Sequence, residues 1–281
     1  MDRTGEIAME MNAGTDAHEP DGPPRDGWLS RIGFIVPASN AVVEYEIARM
    51  LPDGMSAHYA RAPHHPERKV RLGMMIEALP QLARDLAAAD VDGVSFACTT
   101  GSFSEADYEM RALDAIRQAG CRRPGTTTTA ALEAIDALRV RHLAVVSPYP
   151  DDYNELLRRY FETRGVRVTR LSSLLSEQPE SILPEQVSDF CLANADPSAD
   201  AVFISCTKLR TLEVVSDIEA RLGMPVFSSI GASLWQLVGD LELPASPLRP
   251  GRLFDTRTAP RGPARGTAYR KDNETNQRWT S

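Results

Sequence analysis

Two cysteines occupy matching places in the two halves of this chain. Cys98 closes the run Asp92-Gly-Val-Ser-Phe-Ala-Cys98-Thr99, and Cys206 closes Asp200-Ala-Val-Phe-Ile-Ser-Cys206-Thr207, so one D-x-V-x-x-x-C-T pattern is written twice. A thiolate is a strong nucleophile and a thiol a usable acid. Two of them facing one reacting atom suit nucleophile/acid chemistry or proton transfer from opposite sides. A single cysteine after a strand is commonly a small buried hydrophobe. Packing alone gives no reason for the whole pattern to recur, which makes Cys98 and Cys206 the candidate catalytic pair.

Each cysteine stands where an apolar run gives way to a helical pattern. Unpaired N–H groups and the positive end of a helix dipole stabilise a thiolate there, so a pKa lowered towards neutrality is expected. Thr99, Thr100, Gly101 and Ser102 follow Cys98 and are expected to form an anion-binding nest ahead of a helix near Glu105. Thr207, Lys208 and Arg210 follow Cys206 with more bulk and two positive charges. Asn40, in Pro37-Ala-Ser-Asn40, is a substrate-gripping amide, an N-cap for the following helix, or both. Tyr149, in Ser147-Pro-Tyr-Pro150, offers a hydroxyl to a carboxylate or packs a turn. Cys121 and Cys191 read as structural. His58, His64 and His65, with Glu67 as the only close carboxylate, match no metal-ligand spacing and read as surface or loop residues, so no metal is expected. The chain has neither a P-loop nor a G-x-G-x-x-G motif, and no cofactor is indicated.

The elements that must position these residues form an alternating α/β pattern. Strands are expected at Arg31 to Val36, Val91 to Ala97, His142 to Val146, Val166 to Leu171, Ala201 to Ser205 and Val226 to Ser228. Helical periodicity covers Val70 to Ala89, Glu105 to Ala119, Thr127 to Leu138, Asp152 to Thr163, Glu185 to Ala195, Thr211 to Leu222 and Ala232 to Asp240. Gly33-Phe-Ile-Val-Pro37 and Leu143-Ala-Val-Val-Ser-Pro148 echo one another as strands running into proline loops. The expected fold is two pseudo-symmetric α/β half-domains, each a mostly parallel sheet flanked by helices. Ligands collect at the carboxyl ends of such strands, which places Asn40, Cys98, Tyr149 and Cys206 at one cleft between the halves. The boundaries read as a disordered leader over 1–29, a first half over 30–125 plus 229–243, a second half over 126–228, and a disordered tail over 244–281.

With 281 residues, 42% of them hydrophobic, the chain can bury a substantial core. A net charge of −8 argues against a nucleic-acid partner and requires local donors to hold an anionic substrate. Four cysteines without a C-x-x-C pair, and no signal-peptide or membrane-length apolar run, point to reduced thiols in a cytoplasmic protein away from membranes.

Val36-Pro-Ala-Ser-Asn40, Ala97-Cys-Thr-Thr-Gly-Ser102, Ser147-Pro-Tyr149 and Ser205-Cys-Thr207 together resemble maleate cis-trans isomerases. These belong with arylmalonate decarboxylases in the aspartate/glutamate racemase superfamily. The resemblance spans roughly Ile32 to Leu243. It implies a cofactor-independent enzyme, a homodimer or higher homo-oligomer, with a small carboxylate substrate between its two domains. Decarboxylases of this group keep only the second cysteine, so the presence of Cys98 favours isomerisation or racemisation. By position and resemblance, Thr99, Thr100 and Tyr149 stabilise the reacting carboxylate, and Asn40 and Thr207 hold the other. The chain departs from the isomerase pattern at Lys208 and Ile230, where relatives place asparagine. It departs again after the Val166 to Leu171 strand, where it offers Ser176, Glu177 and Gln178. A two-cysteine racemase and a non-enzymatic metabolite-binding protein are the competing expectations.

Overall fold

A computed structural model describes residues 30–51, 54–105, 107–239 and 250–257. The first half runs β1 (Ser30–Pro37), α1 (Val42–Met50), β2 (Met55–Ala62), α2 (Arg68–Ala88), β3 (Gly93–Phe96), α3 (Thr99–Ser104), α4 (Tyr108–Gln118), β4 (Pro124–Thr126) and α5 (Thr127–Ala137). The second runs β5 (His142–Ser147), α6 (Asp151–Glu162), β6 (Arg167–Ser173), α7 (Pro184–Ala193), β7 (Ala201–Ile204), α8 (Val215–Leu222), β8 (Val226–Ser228) and α9 (Ser229–Val238). The strands form two four-stranded sheets of order β2-β1-β3-β4 and β6-β5-β7-β8. Every pairing is parallel, with Ile32 opposite Gly93 in the first sheet and Leu143 opposite Ala201 in the second.

Helices cover both faces of each sheet, which is why successive residues of the central strands are buried instead of alternating between core and solvent. Ile32, Phe34 and Val36 pack beneath α1 and α9, whereas Ile35 and Phe96 pack against α2 and α4. In the second sheet Leu143, Val145 and Phe203 face α5 and α6, and Val146, Val202 and Ile204 face α7 and α8. The halves also exchange helices. α5 follows a strand of the first sheet but buries Ala130, Ala134 and Ile135 in the second core; α9 follows β8 and buries Ile230, Leu234 and Leu237 in the first. Trp235 of α9 reaches back into the second core.

The repeated aspartate has a structural role. Asp92 accepts from the Arg31 N–H at 3.1 Å and the Ser30 hydroxyl at 2.7 Å, at the start of β1. Asp200 accepts from the N–H groups of Arg141 and His142, at 2.8 and 2.7 Å, at the start of β5. The aspartate of each motif ties the beginning of its strand to the neighbouring strand, and the cysteine marks the opposite, carboxyl end.

β2, β4 and α3 are additional to the strands and α-helices expected from the sequence. β2 and β4 carry little strand signal, since Met55–Ala62 contains His58 and Arg61 and β4 has only three residues. α1 was expected only as a helix following Asn40. α4 falls within the expected helix over Glu105 to Ala119, whereas α3 begins directly after Cys98, where an anion-binding nest was expected, so Thr99 to Ser102 are the first turn of a helix. The expected leader over 1–29 lies outside the described residues, as does most of the expected tail over 244–281. Residues 250–257 correct that tail assignment. Leu253 is buried in the second core, and the Arg252 N–H donates to Glu219 at 2.8 Å.

Candidate active site

Four loops at the carboxyl ends of the central strands build the site. Asn40 follows β1, Cys98 follows β3, Tyr149 follows β5 and Cys206 follows β7. β1 and β3 are neighbours in one sheet, and β5 and β7 in the other. The four loops open on one cavity of about 250 Å³ between the halves. All seven residues singled out from the sequence, Asn40, Cys98, Thr99, Thr100, Tyr149, Cys206 and Thr207, line it.

The thiols sit in matched surroundings. The Gly101 N–H and the Thr100 hydroxyl bond the Cys98 sulfur, the latter at 3.7 Å, and the Lys208 N–H bonds Cys206 Sγ at 3.4 Å. Each cysteine thus receives an N–H from the turn that follows it. These donors pull the thiol pKa down, as do the charges of Arg71 and Arg68 at Cys98 and the Tyr149 hydroxyl and Lys208 charge at Cys206. Burial outweighs them. It raises Cys98 above its ordinary value and pushes Cys206 up to about 11. The expected shift towards neutrality is therefore corrected: desolvation of the sulfur dominates, and both groups rest as thiols. Cys206 also has a φ of 114°, a backbone conformation that costs a residue with a Cβ strain and holds its thiol away from a regular strand path.

The loops are locked to one another across the halves. Asn40 Oδ1 accepts from the N–H groups of Val42 and Val43, at 2.9 and 3.1 Å, which caps α1. Its Nδ2 donates to Thr207 Oγ1 at 2.9 Å and to the Thr207 carbonyl at 3.2 Å. Thr207 Oγ1 in turn donates to the Ala97 carbonyl at 3.1 Å. Ser229, at the start of α9, accepts from the Thr99 hydroxyl at 3.2 Å and from the Cys206 N–H at 3.1 Å. The side-chain donors of Asn40, Thr99 and Thr207 are therefore already engaged. Tyr149 is buried, accepts from Ser205 Oγ at 3.4 Å and bonds Cys206 with its hydroxyl.

The remaining walls carry charge that the sequence reading left aside. Arg68 and Arg71, from the first turn of α2, line the cavity with His64 and Lys208. The Lys208 ammonium is paired with Glu180 at 3.2 Å. Nothing local in the sequence marks the arginines, which precede Cys98 by a whole helix. His58 bonds Ser56 instead, at 3.0 Å, and His65 bonds the Glu67 N–H at 3.1 Å. Among the described residues no group of three or more histidines, cysteines or carboxylates could hold a metal ion. Cys121 and Cys191 are buried in the two cores, and all four cysteines are free.

The family model described as arylmalonate decarboxylase matches residues 32–254. The chain belongs to this family. It is 32% identical over 234 residues to the arylmalonate decarboxylase of Bordetella bronchiseptica, covering 80% of this chain and 96% of that one. It is 28% identical over 245 residues to a maleate isomerase of Pseudomonas putida, covering 79% and 95%. The crystal structure of the maleate isomerase Iso from Pseudomonas putida S16 superposes with a TM-score of 0.73 at 25% identity, covering 80% of this chain and 98% of that one. The resemblance read from the sequence stands, and with it the α/β fold and the expectation of an isomerase-type enzyme within the arylmalonate decarboxylase family. No helix among the described residues is long and apolar enough to cross a membrane.

Proposed function

We propose that the protein catalyses cofactor-independent cis-trans isomerisation of a small unsaturated dicarboxylate, of the maleate to fumarate type. The observation that carries this reading is the placement of Cys98 and Cys206, from opposite halves, on one cavity. A family member working by decarboxylation alone has no use for the first thiol.

Rotation about a carbon–carbon double bond requires its π bond to be removed first. Cys98 loses its proton to solvent, and the thiolate adds to one alkene carbon. The π electrons move onto the adjacent carbon and its carboxylate. Cys206 protonates that carbon, leaving a saturated covalent adduct free to rotate about the new single bond. The Cys206 thiolate then takes the proton back and the C–S bond breaks, releasing the trans diacid and restoring both groups. Covalent catalysis divides one high barrier into two lower ones. Fixed donors at the electron-rich carboxylate stabilise the transition state more than the ground state. Thr100 and the N–H groups opening α3 suit that role. Tyr149, bonded to Cys206, suits orientation of the acid as well as contact with the carboxylate.

Proton NMR of the reduced protein with maleate in heavy water tests this. A growing fumarate signal is expected, lost in Cys98→Ala together with any adduct seen by intact mass. Near wild-type turnover by Cys98→Ala would overturn the assignment. The same opposed thiols also suit racemisation at an acidic carbon, which deuterium incorporated at the α-carbon of an amino acid would report. We further propose a cytoplasmic homodimer, checked by light scattering of the purified protein and by fractionation.

A further inference from the structure

We infer that Arg68 and Arg71 are the specificity determinants of this site. Together they select a doubly charged ligand by supplying paired guanidinium donors to the carboxylate nearest Cys98. The inference deepens the isomerase reading and rests on its assignment of the cavity. Four observations carry it.

First, both side chains line the cavity, and both charges are felt at Cys98. Second, neither arginine has a carboxylate within ion-pairing distance among the described residues. The third cation, Lys208, is paired with Glu180 at 3.2 Å. Glu177, the acidic residue on the wall, is exposed on the facing loop and pairs with neither arginine.

Third, both guanidiniums are held without using up their donors. Arg71 Nη1 bonds the His65 carbonyl at 2.7 Å, leaving other N–H groups of its fork unengaged. Arg68 lies 4.1 Å above the Tyr153 ring, a stacking contact that uses the flat face and leaves the N–H edge open. Tyr153 belongs to α6 of the other half and packs on Phe103, which packs on Tyr149, so Arg68 is fixed across the cleft by the same aromatic series that holds a site residue. The start of α2 is fixed as well, because the Tyr108 hydroxyl donates to the Leu72 carbonyl at 2.9 Å.

Fourth, the amide and hydroxyl donors of Asn40, Thr99 and Thr207 are engaged in bonds between the loops. A dianion approaching a chain of net charge −8 needs local positive charge, and among the cavity-lining groups the two arginines supply it unpaired.

The test compares succinate, an unreactive dianion, with butyrate, a monoanion of the same carbon count, by calorimetric titration of the full chain. Wild type is expected to bind succinate more tightly. Arg68→Gln and Arg71→Gln should each weaken succinate by roughly tenfold or more while changing butyrate less, since charge-assisted bonds are lost. Arg71→Lys should recover part of the preference. Wild-type protein that binds succinate no tighter than butyrate overturns the inference whether or not the variants fold. So does a succinate-to-butyrate ratio unchanged in both folded glutamine variants. A protein that makes no fumarate yet keeps an arginine-dependent succinate preference would refute the isomerase reading and leave this inference intact.

Discussion

Asn40 and Thr207 join the two half-domains at the floor of the cavity, with Asn40 Nδ2 2.9 Å from Thr207 Oγ1 and 3.2 Å from the Thr207 carbonyl. The same amide caps α1 through Oδ1, and the same hydroxyl reaches the Ala97 carbonyl one residue before Cys98. Three of the four loops that carry the site therefore share one buried bond network, and the spacing of the two thiols depends on it.

Asn40→Ala is expected to destabilise the fold by ~1–3 kcal/mol, combining a lost cap with buried partners left unsatisfied. Thr207→Val should cost a similar amount. Because the residues are bonded directly, the double variant should fall short of the sum by ~0.5–1.5 kcal/mol. Urea unfolding of the four proteins measures the coupling, and strict additivity would show that the latch carries no energy.

Glu46 adds a pH dependence. It is buried on α1 and accepts from the N–H groups of Thr211 and Leu212, the latter at 2.8 Å, on the chain that leads away from Cys206. Those bonds lower its pKa, but burial outweighs them and raises it from 4.5 to about 7. The folded state therefore keeps a proton that the unfolded chain has released, and stability falls as pH rises through the window from 4.5 to about 7. Glu46→Gln should flatten the curve of Tm against pH across that window. A wild-type Tm that rises over the same interval, with no contribution removed by the variant, would contradict this.

Thiol reactivity should climb with pH. Since burial holds both Cys98 and Cys206 in the protonated form near neutrality, alkylation of Cys98 by iodoacetamide should rise by about one log unit per pH unit from about pH 7 to about pH 9. Peptide mapping of the alkylated protein separates the Cys98 signal from those of Cys121, Cys191 and Cys206. A rate already level at neutral pH would mean a preformed thiolate.

Asp200 separates the structural end of the motif from the chemical end. Its carboxylate accepts from two strand-start N–H groups, which lower its pKa, so its contribution is present at neutral pH and fades as pH falls through the carboxylate range. Asp200→Ala should cost roughly 1 kcal/mol of stability with turnover per folded molecule retained. Turnover lost from a fully folded variant would place this aspartate in the chemistry instead.

Much of the architecture was legible because its signals are local. The apolar runs around Phe34, Val94, Val145 and Phe203 announce strands buried on both faces, and the duplicated motif announces two halves with a thiol at the end of a central strand in each. Asn40 and Tyr149 could be placed at the same cleft because loops after parallel strands open at one edge. β2 and β4 were not legible. Their pairing comes from a neighbouring strand, through backbone bonds that no side-chain pattern records.

Residue type, order and duplication in the sequence thus determined the fold class, the family and the pair of sulfurs. Tertiary structure decided what those atoms meet. It shaped the cavity, desolvated both thiols against the pull of the N–H donors that follow them, and engaged Asn40 with Thr207. It also carried Arg68 and Arg71 to the wall beside Cys98 and bound Lys208 to Glu180. Charge and desolvation act through space, between groups far apart along the chain, so spacing in the sequence carries no record of them.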